Sequence, residues 1–311
     1  MPQYYTPGPE GAAGKSFGLK QGSAHEPAVI DSRVPSPAPS VRLVVNADGF
    51  GASTQRDRAV IATHQNGIVT STSVLGNVAD PAAVKVALAA VPALGVGVQL
   101  SLVDGAPVAS PDTVPSLLGP DGRFPPRARD VVLNWAKAAI RADEVEQELD
   151  AQVSRLRDFG FAVDHLCGKD GLGFLPIVAQ AQEKVAKRHG ILGLRMAVEK
   201  PTLAWTSDLR RGMGTAAMAA MAWLSRRELG ARRHGPQSWG FFETGRLDEV
   251  RILEILGRLG AGSHEIICHP DLDDDLQSAP RNSEAFALTS ARVRAVLGDR
   301  QIELCRWKDL F

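Results

Sequence analysis

The chain has 311 residues, 44% hydrophobic and 23% charged, with a formal net charge of +0. That length suits one large α/β domain or two small ones, and the charge balance excludes the broad basic field a nucleic-acid partner requires. Cys167, Cys268 and Cys305 are widely spaced with no CxxC pair, which excludes a disulfide framework or thiolate zinc site and suits a reducing, cytoplasmic compartment.

Residues 1–40 are rich in Pro, Gly, Ser and Ala and lack an apolar h-region. They read as a disordered leader, with no secretory signal. The apolar run Leu43-Val44-Val45 predicts a short buried strand. It delivers Asn46-Ala47-Asp48-Gly49-Phe50-Gly51 to its C-terminal end, where parallel α/β folds place their chemistry. Asp48 is therefore a candidate catalytic carboxylate; the local sequence reads equally as a turn or helix N-cap residue.

Further strands are expected at 69–75, 96–102, 162–166, 192–196, 264–267 and 302–304, most of them apolar at consecutive positions. Amphipathic helices are expected at 54–65, 82–91, 142–159, 175–189, 247–259 and 283–297. In the third, Val145, Leu149, Val153 and Leu156 recur at helical spacing and Gly160 ends the segment. Strands alternating with helices predict parallel βα units closing into a distorted (β/α) barrel, one α/β domain over 41–311. The run 213–224, about 12 residues, is short of the roughly 20 a membrane span needs. It reads as a core helix or as a surface touching lipid, with Arg210, Arg211, Arg226, Arg227, Arg232 and Arg233 around it.

Several segments together resemble the YdjC-like carbohydrate deacetylase family, and within it the hopanoid-biosynthesis-associated branch. They are Asn46 to Gly51, His64 to Ser73, Gly95 to Leu100, Leu194-Arg195, Glu265 to Pro270 and Trp307 to Leu310, in the family's order. The resemblance implies a (β/α) barrel that removes acetyl groups from N-acetylated sugars, an amide hydrolase, with a glycosylated lipid as the substrate of that branch. In the family pattern Asn-Ala-Asp-Asp-Phe-Gly the first Asp resembles a base and the second binds a divalent metal. Two histidine ligands come from a Gly-x-His-Leu segment and a His-rich loop. Here those ligand positions hold Gly49, Gln99, Lys169 and Gly171, with Gly173 following.

What remains is Asp48 as the implied base, His269 as the implied acid, and Arg195, placed to bind substrate hydroxyls or to pair with Asp48. A metal moves the pKa of water from about 15.7 to about 7, on the order of 12 kcal/mol at about 1.4 per unit. A positioned base contributes about 10²–10⁴-fold, or roughly 3–5 kcal/mol, and so does not replace the ion. No cofactor is therefore expected, unless a divalent metal sits on relocated ligands such as Asp48, His165 and an acid among Asp271, Asp273, Asp274 and Asp275. Those acids read first as a solvated loop, and the remaining histidines (His25, His64, His189, His234 and His264) show no ligand spacing. Asn46, Gln99, Lys169, Asp170, Arg195 and Trp239 are the expected substrate-binding residues. Lys169 is a substitute electrophile or a partner of Asp170, and Trp239 and Phe241 are sugar-stacking rings or core residues. The expected partner is a sugar or glycolipid ligand, with peripheral membrane contact and a homodimer left open. A non-catalytic partner of an active paralogue is the remaining alternative.

Overall fold

The computed structural model describes residues 41–196, 199, 203–229, 235–273, 276 and 283–311. The expected leader, His25, Arg232, Arg233, His234, Asp274 and Asp275 lie outside these residues. Strands and helices alternate as β1 (Val41–Phe50), α1 (Thr54–Asn66), β2 (Ser71–Leu75), α2 (Pro81–Leu88), β3 (Gly95–Leu100), α3 (Ala128–Ala136), α4 (Ala142–Asp158), β4 (Val163–Gly168), α5 (Pro176–His189) and β5 (Gly193–Leu194). They continue as α6 (Leu209–Leu229), β6 (Gln237–Trp239), α7 (Glu249–Arg258), β7 (Gly262–Cys268), α8 (Glu284–Thr289), α9 (Ala291–Asp299) and β8 (Ile302–Leu304). The strands pair in parallel in the order β5-β4-β3-β2-β1-β7-β6, with β8 beside the start of β1. This is the curled parallel sheet with surrounding helices that the alternation predicts.

Local chemistry sets the helix starts. The Ser53 hydroxyl accepts from the Arg56 amide at α1, and Asp80 accepts from Ala83 with Pro81 opening α2. The expected helix 283–297 is two helices, because the Ser290 side chain accepts from the amides of Arg292 and Val293 and starts α9 anew. Asp48 is neither cap nor turn residue. β1 runs through to Phe50, past the predicted 43–45, because Asn46, Ala47 and Asp48 pair with Ser71, Thr72 and Ser73 of β2.

Strand periodicity builds the interior. Successive side chains point to opposite faces, and Leu43, Val45 and Ala47 join the apolar cluster shared with the helices. Val44, Asn46 and Asp48 take the other face, with Val44 packed on Trp307. The same alternation turns Ser73 of β2, Gln99 of β3, His165 and Cys167 of β4 and Glu265 of β7 inward, while Val74, Val98, Leu166 and Ile266 meet the helices. The sheet therefore has an oily outside and a polar inside.

Candidate functional site

The inward polar residues meet at the C-terminal ends of the strands. There a cleft of about 270 Å³ is lined by Asp48, Gln99, Asp170, Arg195, Phe241 and His269, together with Gly168, Gly171, Met218, Thr244 and Ile267. Asp48 is 3% exposed and forms its floor.

The Asp48 carboxylate accepts four hydrogen bonds. Arg195 Nη1 donates to Oδ2 at 2.6 Å and Nη2 to Oδ1 at 3.0 Å. Asn46 Nδ2 donates to Oδ1 at 2.7 Å, and Gln99 Nε2 to Oδ2 at 3.1 Å. Burial pushes the Asp48 pKa up, but the Arg195 charge and its hydrogen bonds outweigh it and hold the group below the usual aspartate value. Arg195 is held from its other side by Glu265, through Nε at 3.0 Å and Nη2 at 2.6 Å. Ser238 Oγ and Trp307 Nε1 also donate to Glu265. Burial alone would lower the Arg195 pKa, and Asp48 with Glu265 drives it well above its ordinary value.

Gly49 sits at φ +87°, where the pairing of β1 with β2 is irregular. A Cβ built there would lie 3.5 Å from Arg56 Nη1 and 3.8 Å from Gln99 Oε1. The Arg56 guanidinium is tied down by Nη1 to the Asp48 carbonyl and by Nη2 to Asp271, each at 3.2 Å. A cation of the protein's own thus stands beside the backbone of residues 48 and 49.

The expected site residues divide into two sets. Asp48, Gln99, Asp170, Arg195, Gly171 and His269 meet in the cleft, and Phe241 joins them. Asn46 is fully buried behind Asp48. Trp239 is a core residue whose Nε1 donates to His264 Nδ1 at 3.2 Å, so its ring has no open face for a sugar. Lys169 reaches Asp104, with Nζ 3.8 Å from Oδ2, rather than Asp170. His165 is fully buried with both ring nitrogens engaged, Nδ1 by Asp164 and Nε2 by Ser73. Sequence reasoning missed the roles of Glu265 and Arg56. A carboxylate within a buried parallel strand needs a cationic or hydrogen-bonding partner, and that signal was present in His264-Glu265-Ile266-Ile267.

The carboxylates of Asp48 and Asp170 and the imidazole of His269 line the cleft, and His269 Nδ1 is buried without a hydrogen-bond partner. The cysteines are not nucleophiles. Burial pushes Cys167 to about 12, Cys305 to about 11 and Cys268 well above the ordinary thiol value, so each stays protonated at neutral pH. Among the described residues no three His, Cys, Asp or Glu side chains gather closely enough to hold a metal ion, and no helix is long and apolar enough to cross a membrane.

The chain is similar to known carbohydrate enzymes. It is 27% identical over 277 residues to a carbohydrate deacetylase of Geobacillus stearothermophilus, covering 86% of this chain and 97% of that relative. A chitooligosaccharide deacetylase of Salmonella typhimurium is 29% identical over 272 residues, covering 83% and 94%. Among solved structures, a protein of Enterococcus faecalis V583 provisionally described as a cellobiose-phosphate cleavage protein superposes with a TM-score of 0.65 at 21% identity. That match covers 87% of this chain and 99% of the other, and shows the shared fold. The family profile described as YdjC-like protein matches residues 42–299. The chain belongs to the YdjC-like protein family.

Proposed function

We propose that this chain is a diverged member of the carbohydrate deacetylases that keeps a sugar or glycolipid pocket while its own cations replace the family's divalent ion. It either binds its ligand without turnover or runs metal-independent chemistry with Asp48 and His269. The observation that carries this reading is the state of Asp48: four N–H donors occupy its carboxylate, two of them from a guanidinium that is itself clamped. The donor set does not fit a divalent ion. Gly49 offers no side-chain ligand, Gln99 turns its amide nitrogen to Asp48, Gly171 has none to give, and Lys169 and Arg56 bring positive charge. Relocated ligation by His165 is disfavoured, because both its nitrogens are committed behind the cleft wall.

A glycolipid fits better than a free sugar because of what adjoins the cleft. An apolar groove of about 530 Å³ runs between α3, α6 and the loop after β4, lined by Val132, Leu133, Leu172, Leu175 and Met221 among others. It shares Asp170, Gly171 and Met218 with the cleft, so a polar head in one and an apolar tail in the other are contiguous. Peripheral membrane contact is supported by α6, which exposes Leu209 at its start and Met213, Trp223 and Leu224 between Arg210 and Arg227. Membership of the hopanoid-associated branch rests on the resemblance of motifs alone.

The test is calorimetric titration with N-acetylglucosamine oligomers and with an alkyl N-acetylglucosaminide, beside acetate-release assays with chelator and with added Zn, Mg, Mn and Co. The reading expects tighter binding of the alkyl glycoside, no acetate stimulated by metal, and loss of the alkyl preference in Val132→Glu. Stoichiometric metal by elemental analysis with metal-dependent acetate release would return the chain to ordinary deacetylation.

A further inference from the structure

Behind Asp48 the inward residues form a closed circuit that ligand chemistry alone does not explain. One arm leaves Asp48 through Asn46. The two Nδ2 protons of Asn46 go to Asp48 Oδ1 at 2.7 Å and to Ser73 Oγ at 2.9 Å. Ser73 Oγ also accepts from Cys167 Sγ at 3.4 Å. With two donors directed at its oxygen, the Ser73 hydroxyl has its own proton free for one acceptor, His165 Nε2 at 2.9 Å. His165 must then carry its proton on Nδ1, which faces Asp164 Oδ1 at 2.6 Å. The other arm leaves Asp48 through Arg195 and Glu265 to Trp307, whose Nε1 donates to Glu265 Oε1 at 3.2 Å. The Trp307 ring stacks on His165 with centroids 4.8 Å apart and planes 9° from parallel, and so joins the two arms.

The chain makes deliberate room for this imidazole. A Cβ at Gly97 would fall 2.3 Å from the His165 ring, and one at Gly193 would fall 2.6 Å from His165 Cβ and 2.9 Å from the Trp307 ring. Those distances leave no space for any side chain, so glycine at these two strand positions is needed for the histidine to lie flat inside the sheet. A buried polar ring of this kind rigidifies as its members are satisfied, and of the circuit's side-chain atoms Asn46 Oδ1 is left without a partner.

We propose that His165 is a positioning residue for Asp48: held as its Nδ1–H tautomer, it orients Ser73, which orients Asn46, which fixes the carboxylate, while Trp307 ties the same imidazole to the Arg195 clamp. The Asp164, His165 and Ser73 side chains resemble a nucleophilic triad in connectivity. Ser73 is fully buried, however, and its hydroxyl proton points away from the cleft-side donors, so the trio acts on Asp48 and not on a ligand. This goes beyond the proposed function, since it concerns the posture of Asp48 whether or not a sugar binds.

The experiment uses the full chain labelled with ¹⁵N-histidine and ¹⁵N-asparagine and needs no ligand. The imidazole nitrogen shifts of His165 should report Nδ1 protonated and Nε2 as an acceptor at neutral pH, and the Asn46 side-chain protons should exchange slowly. In Ser73→Ala the Asn46 protons should exchange about tenfold faster, as expected for one hydrogen bond of ordinary net strength, and the Nε2 resonance should move. Ser73→Thr, which keeps the hydroxyl, should restore both signals. Should Ser73→Ala fold poorly, the tautomer in the unaltered chain and the Ser73→Thr spectrum still decide. An Nε2–H tautomer, an imidazolium at neutral pH, or Asn46 exchange indifferent to Ser73→Ala would overturn the proposal. Because no ligand is involved, failure of the proposed function leaves this outcome readable, and the converse holds.

Discussion

Two networks in this molecule use the same kinds of side chain to opposite effect. Inside the curled sheet, Arg195 bridges Asp48 and Glu265, and all three are almost wholly buried. On the outer face of α4 and α5, Arg188 bridges Glu146 and Asp150 while Lys184 and His189 join them, with the Arg188 side chain 49% exposed. Water screens the outer network and solvates any member that loses its partner, so its net worth is small. The inner one is almost wholly buried, where an orphaned charge is costly. The difference teaches that each member of the cleft floor needs its partners, whereas a helix-face charge that loses one is solvated instead.

Arg195→Met should break that comparison most sharply. It strands two buried carboxylates and is expected to lower unfolding stability by about 3–5 kcal/mol, read as a drop in the urea midpoint. An effect no greater than that of a surface substitution would mean that the inner network is not closed. Asp48→Asn comes next, at roughly 1.5–3 kcal/mol for charged hydrogen bonds replaced by neutral ones. It also carries a pH signature. Arg195 holds the folded Asp48 pKa below the unfolded value. The resulting stability is therefore present above the unfolded pKa of about 4 and is lost as pH falls through the folded one. Urea midpoints measured from pH 6 down to pH 2 should fall more steeply in the unaltered chain than in Asp48→Asn. Parallel profiles would show that Asp48 is not ionised by its neighbours. The smallest effect belongs to Arg188→Ala, expected within about 1 kcal/mol. Added salt should erase that effect, while the Arg195→Met deficit should persist in the same salt series.

The predicted barrel survives in outline because its signals are local and repeated. The six amphipathic helices and seven strands that the sequence predicts recur, the last helix split in two at Ser290 and the others differing at ends where capping or pairing decides. β1 shows why ends fail: Asn46 and Asp48 are polar, so an apolar-run criterion stops at Val45, yet pairing with Ser71 to Ser73 carries the strand to Phe50. β6 and α3 escaped notice. The first is only Gln237–Trp239, and the second, Ala128–Ala136, lies in a stretch that reads as a connection. Residue type leaves Trp239 open between a sugar platform and a core residue, and the pairing of β6 with β7 sends its ring into the core.

The sequence by itself determined the family, the βα alternation and Asp48 at a strand's C-terminal end. These are properties of single positions and of short-range periodicity, which a linear text records. Only the tertiary structure decided who neutralises Asp48. Arg195 lies 147 positions away from Asp48 and Glu265 a further 70 beyond it. Period-two alternation turned all of them to the inside of one curled sheet, where low dielectric makes their mutual pairing obligatory.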